Sequence, residues 1–394
     1  MAISTKIQEF MEKSSWIRKM FEEGSRLKAI HGAENVSDFS LGNPNVPPPD
    51  LVDKTLQELV SDNTAGVHGY MPNSGYEETR KAVASYLGKI FGVAVSADHV
   101  VMTCGAAGGL NIILKALLDP GDEVICPAPY FVEYGFYCDN HGGKLVTVPT
   151  KEDFNLDLSG LAEAIGPKTK AVLVNSPNNP TGQVYPEEDL MALGSLLDEK
   201  TREIGRRIYL ISDEPYRDIV YDNIEVPSLF KAYAHSIVTS SYSKNLSIPG
   251  ERIGYVIVHP DAEQVGLLLG ALNLANRILG FVNAPALMQR LVARIQGVCV
   301  DKSIYEEKRN LLCEGLKYAG YEFSVPKGAF YVFPKSPIPD DVEFVRILQE
   351  ELILAVPGAG FGGPGYFRLA YCVDDQTIKR SFDGFKRALD RVTK

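Results

Sequence analysis

Short runs of hydrophobic residues alternate with longer amphipathic stretches through the middle of the chain. Several of these runs are continuously apolar, which is typical of strands that are covered on both faces. The stretches between them are long enough for helices, so the pattern predicts an α/β domain with a largely parallel sheet. The predicted strands lie at residues 99–103, 123–126, 171–175, 207–212, 236–240 and 252–258.

The pattern changes beyond about residue 285, where longer helical segments are followed by short strands. A helix is predicted over residues 301–318, and strands are predicted at residues 329–333 and 366–371. This mixture indicates a smaller α+β domain. We therefore expect an N-terminal arm that adds to the small domain at residues 1–45, a large domain at 46–285 and a small C-terminal domain at 286–394.

The charge balance argues against several classes of protein. The chain of 394 residues carries 40 Lys and Arg against 50 Asp and Glu, a formal net charge of −10. Nucleic acids and anionic membranes both require a basic surface, so we expect neither as a partner. The most apolar long stretch, residues 266–282, is interrupted by Asn and Arg, which favours a buried or interface helix over a membrane span.

The six cysteines are scattered, without a CxxC pair or a histidine at metal-ligand spacing. They predict buried thiols rather than a metal site, as is typical of a reducing compartment. The N-terminal segment carries charges throughout and lacks the apolar core of a secretory signal. We therefore expect a cytoplasmic protein that needs no metal.

Two turns that follow predicted strands are candidate ligand contacts. In TCGAAGG a strand is predicted to end at Gly105 and a helix to begin through Ala106 and Ala107, and the free N–H groups and dipole of that helix suit a phosphate. Tight packing of the helix on the sheet is the alternative explanation of these small residues. In NSPNNPTG, Asn179 lies where ligands bind in open α/β sheets, although a plain turn explains the same sequence.

Charged residues follow or occupy further apolar strands. Asp213 comes directly after one strand, where a buried carboxylate needs a cation or several donors, unless it caps a helix. Lys244 follows the next strand beside hydroxyls, with Arg252 eight residues later. A nearby cation can lower the pKa of such an amine and make it a nucleophile, whereas most lysines are simply solvated. Arg368 lies in a short apolar strand, where it pairs with either a protein carboxylate or a substrate carboxylate.

In their order and spacing, these segments resemble the pyridoxal-phosphate-dependent aminotransferases of fold type I, in the class I and II group that includes aspartate, aromatic and alanine aminotransferases. The resemblance covers essentially the whole chain, through LGNP, HGYMPNSGYEETR, TCGAAGG, PAPYFVEY, NNPTG, SDEPY, SYSKNLSIPGERIGY and FRLAYC. It implies a large domain that binds pyridoxal phosphate around a mostly parallel, seven-stranded sheet, and a smaller α+β domain. It also implies a homodimer in which two subunits share each active site.

The resemblance also implies roles for individual residues. Lys244 matches the lysine that forms a Schiff base with the cofactor and later moves a proton. Asp213 matches the acid that pairs with the protonated pyridine nitrogen, which keeps the ring an electron sink. Further cofactor contacts are implied for Gly105, Ala106, Ala107, Ser241, Ser243 and Arg252 at the phosphate, for Tyr70 at the phosphate of the neighbouring subunit, for Asn179 and Tyr216 at the ring oxygen, and for Tyr130 stacked on the ring. Substrate contacts are implied for Arg368 at the α-carboxylate, with Gly42 and Asn179 beside it.

The implied activity is the transfer of an amino group from an L-amino acid, such as aspartate or an aromatic amino acid, to a 2-oxo acid. The expected acceptor is 2-oxoglutarate and the expected kinetics are ping-pong. A carbon–sulfur β-lyase of the cystathionine type is the nearest alternative, since fold alone does not decide the chemistry. A non-enzymatic regulator is less suitable, because too few residues precede LGNP for a DNA-binding module.

Two features of the sequence leave questions about the substrate. Phe131 stands where relatives often have proline after the stacking aromatic, with no evident mechanistic consequence. A substrate with a distal carboxylate needs a second cation, and Arg18 and Lys19 in the N-terminal arm are candidates for it. Solvated charges on an amphipathic helix explain these two residues better.

Overall fold

A computed structural model describes residues 3–13 and 15–393 of the chain. Its helices are α1 (Thr5–Lys13), α2 (Ser15–His31), α3 (Asp50–Val60), α4 (Glu77–Phe91), α5 (Gly105–Leu117), α6 (Glu133–Asn140), α7 (Leu158–Ala164), α8 (Glu187–Ile204), α9 (Leu229–Ala232), α10 (Val265–Ile278), α11 (Ala286–Arg294), α12 (Lys302–Ala319), α13 (Asp341–Glu350), α14 (Asp375–Arg380) and α15 (Phe382–Thr393). Its strands are β1 (Ser37–Asp38), β2 (Val100–Thr103), β3 (Glu123–Ala128), β4 (Lys144–Pro149), β5 (Thr169–Asn175), β6 (Tyr209–Asp213), β7 (Ser236–Ser241), β8 (Gly254–Val258), β9 (Tyr331–Val332), β10 (Ile353–Leu354), β11 (Val356–Pro357) and β12 (Phe367–Ala370).

The central sheet has seven strands in the order β2-β8-β7-β6-β5-β3-β4. Strand β8 runs antiparallel to both of its neighbours, and the other pairings are parallel. The predicted α/β class and the mostly parallel, seven-stranded sheet are therefore confirmed. Sequence analysis missed the edge strand β4, whose side chains are partly exposed.

The register of the parallel strands aligns their carboxyl ends. Asn175 at the end of β5 pairs with Asp213 at the end of β6, and Asp213 pairs in turn with Thr239 of β7. Strands β6 and β7 are buried along their whole length, as expected where helices cover both faces. The polar residues that follow these strands are thus brought to one edge of the sheet.

Hydrophobic cores lie on the two faces of this sheet, and a separate core surrounds the small sheet β11-β12-β9. Helix α12 begins after the N-cap Asp301, whose carboxylate accepts from the Ser303 N–H, and it packs on α14 and α15 in this separate core. Phe39 joins the same core from the N-terminal part of the chain. Helix α11 instead packs on α3 and α4 of the large core. The domain boundaries at residues 45/46 and 285/286 stay a prediction.

Within residues 3–13 and 15–393, no helix combines the length and the apolar character that a membrane crossing requires. The same residues contain no group of three His, Cys, Asp or Glu side chains that could hold a metal ion. The side chains of Arg18 and Lys19, the candidate contacts to a distal carboxylate, lie outside the part of the chain that the structure describes.

Candidate active site

A cavity of about 380 Å³ opens at the carboxyl edge of the central sheet. Most of the site residues predicted from the sequence line it together. They are Gly42, Ala106, Ala107, Asn179, Asp213, Tyr216, Ser241, Ser243, Lys244, Arg252 and Arg368. Ligands bind at this edge in open α/β sheets, so the position and the lining both mark a binding site.

Asp213 is a buried carboxylate with one unsatisfied oxygen. Its Oδ2 accepts a hydrogen bond of 2.6 Å from the Tyr134 hydroxyl, while Oδ1 has no partner among the described residues. Burial raises the pKa of Asp213 to about 7, although the Tyr134 bond acts in the opposite direction. A buried oxygen of this kind is costly unless a donor reaches it. The site therefore fits a ligand that brings a cationic N–H group to Asp213.

Lys244 presents its amine to the same cavity. Its Nζ donates to the Gly42 carbonyl at 3.1 Å and lies 5.3 Å from the centre of the Phe330 ring. Burial lowers the pKa of Lys244 to about 8. The nearby Arg368 and Arg252 also lower this pKa, whereas Cys372 raises it. An amine with a lowered pKa is more readily neutral and therefore nucleophilic.

The turn into α5 provides an anion cradle. Gly105 has φ +72°, and a Cβ at this position would lie 3.0 Å from the Arg252 guanidinium, so glycine is required for this close approach. Ala106 and Ala107 follow in the first turn of α5 and line the cavity together with Ser241 and Ser243. Free helix N–H groups, two hydroxyls and a guanidinium form a donor set that suits a phosphate dianion.

Arg368 on β12 is buried without an acidic partner among the described residues. Its Nη1 donates to Asn179 Oδ1 at 3.1 Å and its Nη2 to the Ser40 carbonyl at 2.7 Å. Its Nε is buried and unsatisfied, and its guanidinium lies 4.6 Å from the centre of the Tyr331 ring. Of the two partners expected for Arg368, a protein carboxylate is therefore absent from the described part of the chain. The guanidinium can bind a ligand carboxylate instead.

Three tyrosine hydroxyls organise the site, and the sequence motifs indicated a role only for Tyr216. The Tyr216 hydroxyl lies 2.8 Å from that of Tyr331, and a Cβ at Gly42 would overlap the Tyr331 hydroxyl. Tyr134, the second residue of α6, donates its hydroxyl to Asp213. Tyr331 lies outside the quoted motifs, and Tyr134 closes PAPYFVEY, where the adjacent aromatics Tyr130 and Phe131 drew the prediction instead.

Some predicted residues do not line the cavity. The backbone N–H of Tyr130 donates to the Phe361 carbonyl, and its ring lies against Gly362. The adjacent Phe131 lines the cavity instead. Gly105 contributes only through its close approach to Arg252.

Tyr70 lies away from this cavity on the surface of the subunit, with 95% of its side chain exposed. The following segment is fixed, because Asn73 Nδ2 donates to the Val282 carbonyl and Asn283 Nδ2 to the Pro72 carbonyl. An exposed tyrosine directly before a fixed segment is well placed to contact another molecule.

Comparison with known proteins agrees with this geometry. The sequence profile described as aminotransferase class I and II matches residues 34–385. A probable aspartate/prephenate aminotransferase of Aquifex aeolicus is 32% identical over 372 residues, which cover 91% of this chain and 92% of the relative. The aspartate aminotransferase of Thermotoga maritima is 33% identical, with 95% and 96% of the two chains covered.

Solved structures show the same relationship. A crystal structure of an aminotransferase from Eubacterium rectale has a TM-score of 0.97 and 44% identity, with both chains fully covered. The aspartate aminotransferase of Thermus thermophilus with maleate has a TM-score of 0.86 and 28% identity, with 99% of this chain and 100% of that chain covered. These names do not favour the carbon–sulfur lyase alternative. The chain belongs to the class I and II aminotransferases, which are pyridoxal-phosphate-dependent enzymes of fold type I.

Proposed function

We propose that this enzyme transfers the amino group of an L-amino acid to a 2-oxo acid by ping-pong kinetics, with 2-oxoglutarate as the first acceptor to test. The observation that carries the proposal is the shared cavity of Lys244 and Arg368. One residue supplies an amine of lowered pKa, and the other a buried guanidinium with a free donor. Relatives named aspartate aminotransferase support the same class of substrate.

The residues present fit pyridoxal phosphate. We assign its phosphate to Ser241, Ser243, Arg252 and the N–H groups of Ala106 and Ala107, its pyridine nitrogen to the free Oδ1 of Asp213, and its ring oxygen to Asn179 and Tyr216. We assign the stacking contact to Phe131 rather than Tyr130, because Phe131 lines the cavity. When bound, the cofactor supplies an electron sink for the carbanion at the substrate α-carbon.

The chain's own residues then orient the substrate and move its proton. Arg368 binds the α-carboxylate through its free donor, with Asn179 and the Ser40 carbonyl fixing the guanidinium plane. Lys244, held towards the Gly42 carbonyl, takes and returns the proton at the α-carbon. The Tyr331 hydroxyl fixes that of Tyr216. Arg368, Asn179, Tyr216 and Tyr331 act from buried positions, and Lys244 from a partly buried one.

The function is tested by single additions of donor to the purified enzyme loaded with pyridoxal phosphate, without any acceptor. Aspartate, glutamate, alanine, tyrosine, phenylalanine and cystathionine are added one at a time. We expect at least one donor to shift the visible absorbance to that of pyridoxamine phosphate, with one equivalent of 2-oxo acid formed. Absence of any shift together with continuous release of pyruvate from cystathionine would identify a lyase instead.

Replacing Arg368 tests the carboxylate contact. Loss of one partner of a buried, hydrogen-bonded charge pair costs about 2–4 kcal/mol, so Arg368→Gln is expected to lower kcat/KM by about 30- to 1,000-fold. Arg368→Lys keeps the charge without the planar fork and should lose less. Kinetics with alanine and with ethylamine, which lacks the carboxylate, provide the check. An equal loss for both amines would contradict the assignment.

We also propose a cytoplasmic homodimer in which Tyr70 reaches the phosphate of the partner's site. All six cysteines are free, as expected in a reducing compartment. Tyr70→Phe should weaken pyridoxal phosphate binding by about tenfold or more, the usual effect of one hydrogen bond to a charged group.

Mixing subunits distinguishes a contact across the interface from one within a subunit. A mixed dimer of Lys244→Ala and Tyr70→Phe subunits contains one site with both native residues if Tyr70 acts across the interface. We therefore expect the mixture to regain activity at limiting cofactor. No regain, with mixed dimers verified by mass, would place Tyr70 in its own subunit's site or outside both.

A further inference from the structure

Glu133 is a carboxylate of the active-site cavity that the proposed mechanism does not use. It is the first residue of α6 and lines the same cavity as Lys244, Arg252 and Arg368. Its carboxylate makes no hydrogen bond or ion pair with any residue in the described ranges. The hydroxyl of the neighbouring Tyr134 donates to Asp213. Glu133 is therefore the group in the first turn of α6 that remains for a ligand.

The surroundings of Glu133 do not stabilise its charge. Burial raises its pKa, and no cation counteracts this effect. Tyr137, one turn further along α6, also lines the cavity and is influenced by the Glu133 charge. The carboxylate therefore faces the cavity without a positive partner from the described part of the chain.

The cations of the cavity already have roles in the proposed function. Arg252 is assigned to the cofactor phosphate, Arg368 to the substrate α-carboxylate, and Lys244 to the cofactor and the α-carbon proton. Ala107 and Leu110 of α5 add no charge to the lining. Among the described residues that line the cavity, Glu133 is thus the charged group that remains to contact the distal end of a substrate side chain.

We propose that Glu133 determines substrate specificity, and that it favours amino acids whose side chain ends in a hydrogen-bond donor, an amide or an ammonium group, over those that end in a carboxylate. This inference rests on the aminotransferase function proposed above. An ionised carboxylate only accepts hydrogen bonds, so it binds N–H groups and repels a second carboxylate. The same site serves both half-reactions, so the inference narrows the proposed acceptor: 2-oxoglutarate should react more slowly than a 2-oxo acid whose side chain ends in an amide.

The test compares isosteric donors that differ only at the distal group. Half-reaction kcat/KM is measured for asparagine against aspartate and for glutamine against glutamate. In the wild type we expect each amide to exceed its acid by tenfold or more. Glu133→Gln removes the charge at constant size, and it should lower these amide-to-acid ratios at least tenfold. The control is Glu152→Gln, the same change at an exposed acid between β4 and α7, and it should leave the ratios unchanged.

Binding of non-reacting analogues gives a second readout that does not depend on turnover. Calorimetry of the holoenzyme should show that Glu133→Gln tightens succinate about tenfold while succinamate changes less than threefold. Equal effects on the two analogues, or unchanged donor ratios, would overturn the specificity role. So would a Glu133→Gln enzyme that only dissociates into monomers, since Glu133 would then serve the subunit contact. Turnover of any donor keeps the aminotransferase function intact in each of these cases.

Discussion

Lys244→Ala is expected to abolish turnover while the protein still folds. The substitution removes both the amine that bonds the cofactor and the group that moves the proton at the α-carbon. Proton transfer by a positioned base alone contributes about 10²–10⁴-fold, and loss of the covalent contact adds to it. We therefore expect kcat to fall by about 10⁴-fold or more in a steady-state assay with saturating cofactor.

The fold should survive this change for a physical reason. Among the residues that the structure describes, the Lys244 side chain makes one hydrogen bond, to the Gly42 carbonyl. Its lowered pKa indicates that the folded state disfavours its charge. At neutral pH the ammonium therefore costs stability, and the apo variant should unfold at the same temperature as the wild type or higher. Lys244→Arg, which cannot act as a base near neutrality, should be equally inactive. A variant with kcat within tenfold of the wild type would refute the role of Lys244.

Asp213→Asn is the second substitution with a large effect. Breaking a buried ion pair by removing one partner costs about 3–5 kcal/mol, so activity should fall by about two to four orders of magnitude. The amide can no longer hold a proton on the pyridine nitrogen, which weakens the electron sink. The half-reaction with the best donor, measured by stopped flow, reports this loss directly.

The same substitution should stabilise the apoenzyme. Asp213 has a pKa of about 7 when folded and 3.8 as its ordinary value, so between these values the folded state binds more protons than the unfolded state. Stability of the apoenzyme therefore falls as pH rises from about 4 to about 7, by about 4 kcal/mol. Asp213→Asn should remove this decline. Denaturant unfolding at several pH values checks it, and an unchanged slope would show that other groups cause the decline.

The sequence predicted the sheet because its strands are continuously apolar. Strands β6 and β7 are buried on both faces, and their ends, at Asp213 and Ser241, emerged within one or two residues. Strand β4 lies at the edge of the sheet, where partial exposure leaves no continuous apolar run. Its existence follows from the pairing with β3 and not from its own composition.

Site residues that lie in or after apolar strands could be predicted from the sequence. Those on a short helix, or in the turn that precedes it, could not. Lys244 follows an apolar strand and Arg368 lies within one, so each charge stands out from the apolar pattern. Glu133 lies on an eight-residue helix without an apolar pattern to orient it. Tyr130 and Phe131 are adjacent aromatics, and only the turn before α6 decides which of them faces the cavity.

The strand order also dictates when the site can exist during synthesis. Within the described ranges strand β2 pairs with β8 alone, and the partner of Thr103, Gly254, comes about 150 residues later. At about 5–20 residues per second, the ribosome needs roughly 8–30 s to produce that partner. During this time the apolar residues of β2 have no strand beside them, and the phosphate cradle after it has no Arg252. The cofactor site therefore cannot be complete on the nascent chain before β8 and the preceding Arg252 have been made.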